Sequence, residues 1–180
     1  MPELPEVETV VRTLRPAIVG RRILNAEFRQ LRVLRGSAQE TMEALEGRQI
    51  KSIERHGKFI AIRLDKGFLV VHLGMTGKLL VNSEQTKWTH AIFTLDRGML
   101  HYDDQRQFGR IEYGDELPER VAALGPEPLD VALSEFTERV RARKSPIKAV
   151  LLNQAVVRGV GNIYADEALF RAGVHPKRAA

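Results

Sequence analysis

The sequence predicts an α+β protein in which an N-terminal helix precedes an antiparallel β-sandwich and a smaller helical region follows. Three observations support this prediction. Apolar residues recur at helical spacing over the first eighteen positions, and short alternating segments with glycine turns fill residues 23–113. Helical periodicity then returns after residue 128. We therefore predict two domains, 1–128 and 129–180, joined at the segment Gly125-Pro126-Glu127-Pro128.

The first predicted element is an amphipathic helix whose apolar residues repeat at spacings of three and four: Leu4, Val7, Val11, Leu14 and Ile18. Pro16 and Gly20 are expected to end it. A strand over Ile23–Gln30 follows, with one face formed by Leu24, Ala26 and Phe28. Ser37 and Glu40 then predict a capping box for a short helix that ends at Gly47.

Six further strands are predicted from short apolar segments: Ile50–Arg55, Phe59–Leu64, Phe68–Leu73, Ala91–Leu95, Met99–Tyr102 and Phe108–Tyr113. The turns Asp65-Lys66-Gly67 and Asp96-Arg97-Gly98 indicate two hairpins. The C-terminal region is predicted to hold three helices, at about Ser134–Arg143, Pro146–Asn153 and Asn162–Ala172.

The composition favours a polyanionic partner. The chain carries a net charge of +5 and has an isoelectric point of about 9.7, which point to nucleic acid first. It contains no cysteine, which excludes disulfides and cysteine-ligated zinc within these 180 residues. No run of eighteen apolar residues and no basic, apolar leader is found, and we expect a cytoplasmic monomer without a membrane span.

The N-terminus combines a candidate nucleophile with a carboxylate. Since a small second residue permits removal of Met1, the mature chain would begin with the secondary amine of Pro2, and α-amino groups have a pKa of about 7.7–8.0. Such an amine can attack a sugar carbon and form a cationic iminium ion, and the adjacent Glu3 can donate a proton. Proline and carboxylates at a helix start are also ordinary capping features, so the pattern alone leaves both interpretations open.

Three side chains of the predicted sandwich are candidates for DNA contact. Lys58 follows Gly57 at a strand start, where it could bind phosphate, move protons or simply point into solvent. His72 lies at a strand end, where a histidine is more often a hydrogen-bonded structural residue than a ligand. Met75 lies between two glycines, where it could fill a core gap or enter a duplex beside a flipped nucleotide.

The C-terminal region contains a basic run and a glycine turn. The run consists of Arg139, Arg141, Arg143, Lys144 and Lys148, and such runs are usually solvated helix faces. Gly159-Val160-Gly161-Asn162 permits a tight turn into a helix whose N-terminus suits a phosphate.

Together these motifs closely resemble the formamidopyrimidine-DNA glycosylases, bacterial enzymes that excise oxidised purines. The resemblance extends from residue 2 to about residue 176 and rests on five segments: Pro2-Glu-Leu-Pro-Glu-Val-Glu-Thr, Arg55-His-Gly-Lys-Phe-Ile, His72-Leu-Gly-Met-Thr-Gly, Asp104-Gln-Arg-Gln-Phe-Gly and Val157-Arg-Gly-Val-Gly-Asn-Ile-Tyr-Ala.

The resemblance implies a bifunctional DNA glycosylase and AP lyase that acts on damaged double-stranded DNA in the bacterial cytoplasm, associated with the nucleoid. Pro2 would attack C1′ of the deoxyribose, Glu3 would protonate the ring oxygen, and Glu6 would support the pocket. Lys58 would move protons during strand cleavage. Met75, Arg106 and Phe108 would replace the extruded nucleotide, with Arg106 facing the orphaned cytosine. The further DNA-binding residues would be His72, His90, Arg143, Lys144 and Asn162.

The sequence departs from the family pattern at two places. Trp88 stands where the family usually has the first histidine of Lys-His-x-His, beside His90. The family also continues past the position of Ala180 with a helix and a four-cysteine zinc finger, and we expect a fragment or truncated product without that zinc. We also expect the residues after about 130 to be loosely held.

Two other functions stay open at this point. The sister family that removes oxidised pyrimidines typically begins Pro-Glu-Gly-Pro-Glu, and Leu4 argues against it. A non-catalytic remnant that only binds damaged DNA is the other alternative.

Overall fold

The computed structural model describes all 180 residues, with six α-helices and nine strands. The helices are α1 (Leu4–Ile18), α2 (Ala38–Leu45), α3 (Glu119–Ala122), α4 (Leu133–Arg141), α5 (Ile147–Leu152) and α6 (Asn162–Ala172). The strands are β1 (Ile23–Phe28), β2 (Leu34–Arg35), β3 (Ile50–His56), β4 (Phe59–Leu64), β5 (Phe68–His72), β6 (Lys78–Val81), β7 (Thr89–Leu95), β8 (Met99–Asp103) and β9 (Arg110–Gly114). None of the helices is both long enough and apolar enough to cross a membrane.

The strands form two sheets that share one core. The first sheet has the order β1-β7-β8-β6 and is antiparallel throughout. The second has the order β2-β9-β5-β4-β3, with one parallel pair between β2 and β9. A single cluster of 24 buried apolar residues joins both sheets and the inner face of α1. The predicted helix plus sandwich is confirmed.

Local signals in the sequence place several elements correctly. The Ser37 hydroxyl accepts a hydrogen bond from the Glu40 backbone N–H at 3.3 Å and caps α2. Gly67 and Gly98 both have positive φ in their hairpin turns, and their carbonyls accept hydrogen bonds from the last residues of β4 and β7. The bounds of α6 are those predicted.

Three predicted features are wrong. Pro16 does not end α1 but lies in its last turn. Because proline has no N–H, one backbone carbonyl of the helix lacks its partner, and at this exposed position water can satisfy it. Leu24 does not face the core, because a register shift after Ile23 turns it outward and leaves it 49% exposed. Phe108 is not a strand residue, since β9 begins only at Arg110.

Four short elements were not predicted: the 3₁₀ turn Leu31–Val33, β2, β6 and α3. Each has two to four residues, which is too short for an apolar period to be recognised. The two-residue β2 matters most for topology, because its pairing with β9 adds a parallel edge to the second sheet.

The helical C-terminal region has a small core of its own. Buried Val150, Val156, Val157, Ala165 and Leu169 form it between α5, α6 and the turns that connect them. The predicted domain boundary after residue 128 stays a prediction. The Gly125 N–H already donates to the Gln154 carbonyl, and the Pro126 carbonyl accepts from the Arg158 N–H, so residues 125 and 126 are hydrogen-bonded to the second region.

The first testable prediction concerns α4, which contains no buried residue, whereas six of the seven residues of β7 are buried. Because local opening is easiest where few apolar contacts are lost, backbone amides of α4 should exchange with deuterium near the rate of a frayed segment. Those of β7 should exchange only by global unfolding. Hydrogen–deuterium exchange with peptide-level mass spectrometry measures both, and equal protection of the two elements would contradict the expectation of a loosely held C-terminal region.

Candidate active site and nucleic-acid interface

The carboxylate of Glu3 joins the N-termini of two helices. Glu3 immediately precedes α1, is 2% exposed, and lies against the start of α6. Its two oxygens accept hydrogen bonds from the backbone N–H groups of Gly161 at 2.8 Å, Ile163 at 2.9 Å and Tyr164 at 3.2 Å. These N–H groups have no partner within the helix, and the helix dipole favours an anion there.

This contact changes one expectation. We expected the N-terminus of α6 to accept a phosphate, but the Glu3 carboxylate takes three of its N–H groups. The side chain of Asn162, the first residue of α6, is not involved in this contact and is exposed.

Further hydrogen bonds fix the chain beside Pro2. The Glu3 N–H donates to Glu6 Oε2 at 2.9 Å, and Tyr164 Oη donates to Glu6 Oε1 at 3.3 Å. The Leu4 N–H donates to the Gly159 carbonyl at 3.0 Å. Pro2 is half-buried just before these residues, so its nitrogen is attached to a rigid helix start.

Two glycines permit this close approach. A Cβ on Gly161 would lie 2.5 Å from Glu3 Oε1, and a Cβ on Gly159 would lie 2.9 Å from the Leu4 side chain. Gly159 also has φ +88°, which side chains with a Cβ rarely adopt. The sequence pattern predicts only a tight turn at these glycines. In the structure they also leave the space in which the residues after Pro2 contact the start of α6.

Lys58 lies at the same corner of the molecule. It is largely buried and follows Gly57, whose Cα faces Arg158 and Gly159. Burial lowers the pKa of Lys58, while the negative charge of Glu3 acts in the opposite direction. The structure therefore brings together three of the predicted catalytic side chains, Pro2, Glu3 and Lys58, and places Glu6 beside them.

The predicted wedge residues lie on neighbouring loops. Met75 is 40% exposed on the turn after β5, and Phe108 is 48% exposed on the loop between β8 and β9. The guanidinium of Arg106 stacks over the Phe108 ring at 4.7 Å. A Cβ on Gly74 would lie within 2.6 Å of the backbone at Phe108 and Gly109, so the two loops are in direct contact.

Asp104 holds these two loops together, although no role was predicted for it from the sequence. It is fully buried, and it accepts hydrogen bonds from the Thr76 hydroxyl at 2.5 Å, Tyr102 Oη at 3.0 Å and the Gly109 N–H at 2.8 Å. Burial alone would raise the pKa of Asp104, but these hydrogen bonds outweigh it and lower the pKa. No sequence signal separates such an aspartate from an ordinary turn residue.

The remaining predicted contacts differ in accessibility. His72 is partly exposed at the end of β5, and its pKa is lowered by burial and by nearby cations, the first of which is Lys58. Arg143 and Lys144 are exposed after α4. His90 is buried and its Nε2 lies 2.8 Å from the Asp104 carbonyl, which argues against the direct DNA contact predicted for it.

Comparison with known proteins agrees with this geometry. Residues 1–111 match the family model of the formamidopyrimidine-DNA glycosylase N-terminal domain, and residues 124–180 match that of the formamidopyrimidine-DNA glycosylase H2TH domain. The chain belongs to the formamidopyrimidine-DNA glycosylase family. A formamidopyrimidine-DNA glycosylase of Solibacter usitatus is 60% identical over 179 residues, which cover 98% of this chain and 67% of that protein.

Solved structures of the family share the fold. The Lactococcus lactis enzyme bound non-covalently to DNA with an AP site superposes with a TM-score of 0.89 at 35% identity, over 98% of this chain and 72% of that one. The MutM protein of Thermus thermophilus gives 0.87 at 40% identity, over 99% and 67%. The chain thus spans about two thirds of the length of its relatives.

The zinc of the family does not fit the residues present. The chain has no cysteine and no group of three or more His, Asp or Glu side chains that could hold a metal ion.

The second testable prediction is that Gly161→Ala separates Glu3 from α6. The added methyl would lie within 2.5 Å of the Glu3 carboxyl group, so Glu3 must leave its three N–H donors. We expect a loss of about 1–3 kcal/mol in the free energy of unfolding, the cost of unpaired buried groups. Urea unfolding measures it. Gly114→Ala is the matched control, because there a Cβ meets only one atom, at 3.2 Å, and an equal loss in both variants would contradict the role of the Glu3 contact.

Proposed function

We propose that this chain carries the nucleophile and the damage-recognition loops of a base-excision-repair DNA glycosylase with AP lyase activity. Its substrates would be oxidised purines such as 8-oxoguanine and formamidopyrimidines in duplex DNA. The observation that supports the proposal is a continuous arrangement of the candidate side chains. Pro2, Glu3 and Lys58 share a corner, and His72 connects that corner to the turn that bears Met75.

The first step requires a free amine at residue 2. With Met1 present the Pro2 nitrogen is an amide, so Met1 must be removed before the chemistry can begin. Glu3 follows Pro2 directly in the chain, and in this proposal its carboxylate first takes one proton from the Pro2 ammonium. The neutral Pro2 nitrogen then bonds to C1′ as the bond from C1′ to the damaged base breaks, and the departing base takes the remaining N–H proton. Glu3 returns the first proton to the ring oxygen as the C1′–O4′ bond breaks and the iminium ion forms.

The second step removes protons from the opened sugar. The iminium ion withdraws electrons from C2′, so a base can take a C2′ proton while the 3′ phosphate leaves, and δ-elimination then releases the 5′ phosphate. Lys58 is the candidate base. Its lowered pKa makes the neutral amine more available than on an exposed lysine.

DNA positioning would use the exposed polar groups around the corner. His72, Asn162, Arg143 and Lys144 would contact phosphates, which fix register without reading sequence. Met75, Arg106 and Phe108 would fill the space of the flipped nucleotide. The relatives' names and the DNA complexes of the Lactococcus lactis protein support DNA as the partner of this surface.

The third testable prediction is a covalent adduct between Pro2 and an abasic duplex in the presence of borohydride. Mass spectrometry should place the adduct at Pro2, and only molecules that have lost Met1 should form it. Glu3→Gln, which cannot exchange the proton, should slow trapping by about 10²–10⁴-fold. Glu84→Gln, an exposed carboxylate in the loop between β6 and β7, is the control and should trap at the unchanged rate.

Two results would refute the catalytic proposal. An adduct at another amine would remove Pro2 from the mechanism. Preferential binding of damaged duplex without any adduct, from folded protein lacking Met1, would favour the alternative of a non-catalytic binding protein.

The fourth testable prediction concerns pH. Since burial lowers the pKa of Lys58 below the ordinary 10.5, the rate of strand cleavage from an abasic duplex should rise with pH and level off below pH 10.5. Lys58→Arg keeps the charge but cannot become neutral, so it should slow cleavage and leave only the rise below about pH 8 that follows from deprotonation of the Pro2 amine. Lys66→Arg, in an exposed hairpin turn, should keep the wild-type profile. A rise above about pH 8 that persists in Lys58→Arg would assign the base to another group.

A further inference from the structure

Arg110 makes an unusual set of contacts for an arginine beside a proposed DNA surface. It is the first residue of β9 and follows the segment Asp104–Gly109, here named the recognition loop. Its Nη1 group donates to the carbonyl oxygens of Gln107 at 2.9 Å and Gly109 at 2.6 Å. No carboxylate lies within 4.0 Å of the guanidinium, so the contacts of this cation are with backbone carbonyls.

The recognition loop is therefore held from both sides by opposite charges. The Asp104 carboxylate takes the N–H groups of Arg106 and Gly109, at 3.2 and 2.8 Å. Arg110 takes the carbonyls of Gln107 and Gly109. Charge-assisted hydrogen bonds are stronger than neutral ones, so both ends of the loop are fixed.

The loop needs this support because its backbone is strained. Gln107 has φ +54°, a left-handed conformation that is unfavourable for a residue with a side chain. One of the Arg110 hydrogen bonds goes to the carbonyl of this same residue. Gln107 lies between Arg106 and Phe108, so its conformation decides whether the two side chains emerge on the same side of the loop.

Arg110 also connects the loop to the opposite strand. In the pairing of β5 with β9 it lies directly across from His72, the last residue of β5 before the Met75 turn. The recognition loop and the Met75 turn therefore leave the same end of the second sheet.

We propose that Arg110 is a positioning residue that keeps the recognition loop in the conformation in which Arg106 and Phe108 enter the duplex together, and that it does not contact phosphate. No role for Arg110 was predicted from the sequence. The positioning role of Arg110 does not depend on the proposed function. Its expected consequence, that Arg106 discriminates the base opposite the lesion, rests on that function.

The first arm of the test uses free protein and needs no DNA. Arg110→Met should speed deuterium exchange of the amides of residues 106–109 by about tenfold, because two charge-assisted hydrogen bonds are lost. Arg110→Lys can still donate to one carbonyl and should recover part of the protection. Arg63→Met removes the same charge from an exposed position of β4 and should leave the loop unchanged. Unchanged exchange in Arg110→Met would overturn the proposal, whatever the protein does with DNA.

The second arm measures binding to duplexes with a stable abasic-site analogue opposite cytosine or adenine. Arg110→Met should reduce the preference for cytosine by about five- to tenfold, and Arg110→Lys by less. The dependence of log Kd on log salt should keep its slope, because no phosphate contact is lost. A slope smaller by about 0.9 would show a phosphate contact at Arg110 and overturn the proposal.

The two arms separate the two hypotheses. If the wild-type protein shows no preference for the damaged duplex, the proposed function fails, while the exchange experiment still decides the role of Arg110. Faster exchange of the loop together with an unaltered preference for cytosine would refute the positioning role.

Discussion

The contact on which the structure depends most is the carboxylate of Glu3 at the N-terminus of α6. This carboxylate accepts hydrogen bonds from three N–H groups at a helix start that lies about 160 residues away in the chain. Glu3 is also the residue next to Pro2, the proposed nucleophile. Gly161 has no side chain because one would occupy the position of the carboxyl group. The corner that holds Pro2, Glu3 and Lys58 is therefore built by both regions of the chain, and neither region could form it alone.

Charged side chains surround this corner and connect the same two regions. The buried Arg55 side chain contacts Glu8 of α1 and Glu127 of the connecting segment, both at 2.9 Å. Glu127 in turn contacts Arg158 at 3.3 Å. Arg158 directly precedes Gly159, whose carbonyl accepts a hydrogen bond from the first N–H of α1. Removing one partner of a buried pair such as Arg55 and Glu127 costs about 3–5 kcal/mol, since the other charge is left without compensation. The network thus ties α1 to the turn before α6 independently of Glu3.

Much of the fold could be predicted because its signals are local. The apolar period of α1, the cap at Ser37 and the glycine turns at Gly67 and Gly98 depend on residues within a few positions of one another. Leu24 and Phe108 were misplaced because a register shift and a strained loop are set by strand partners far along the chain. Motifs identified the candidate residues of the site, but the roles of Asp104 and of Glu3 at α6 arise from contacts between distant segments.

The corner that holds Pro2, Glu3 and Lys58 is connected to the recognition loop through one row of paired residues. Phe59 of β4 pairs with His72 of β5, and His72 pairs with Arg110 of β9. Lys58 precedes this row at one side, and the recognition loop enters it at the other. The proposed catalytic lysine and the recognition loop are therefore joined by the backbone hydrogen bonds of three neighbouring strands, β4, β5 and β9. The proposed wedge residues and the proposed catalytic lysine thus lie at the same end of the second sheet, and both are positioned by strand residues outside the proposed reaction centre.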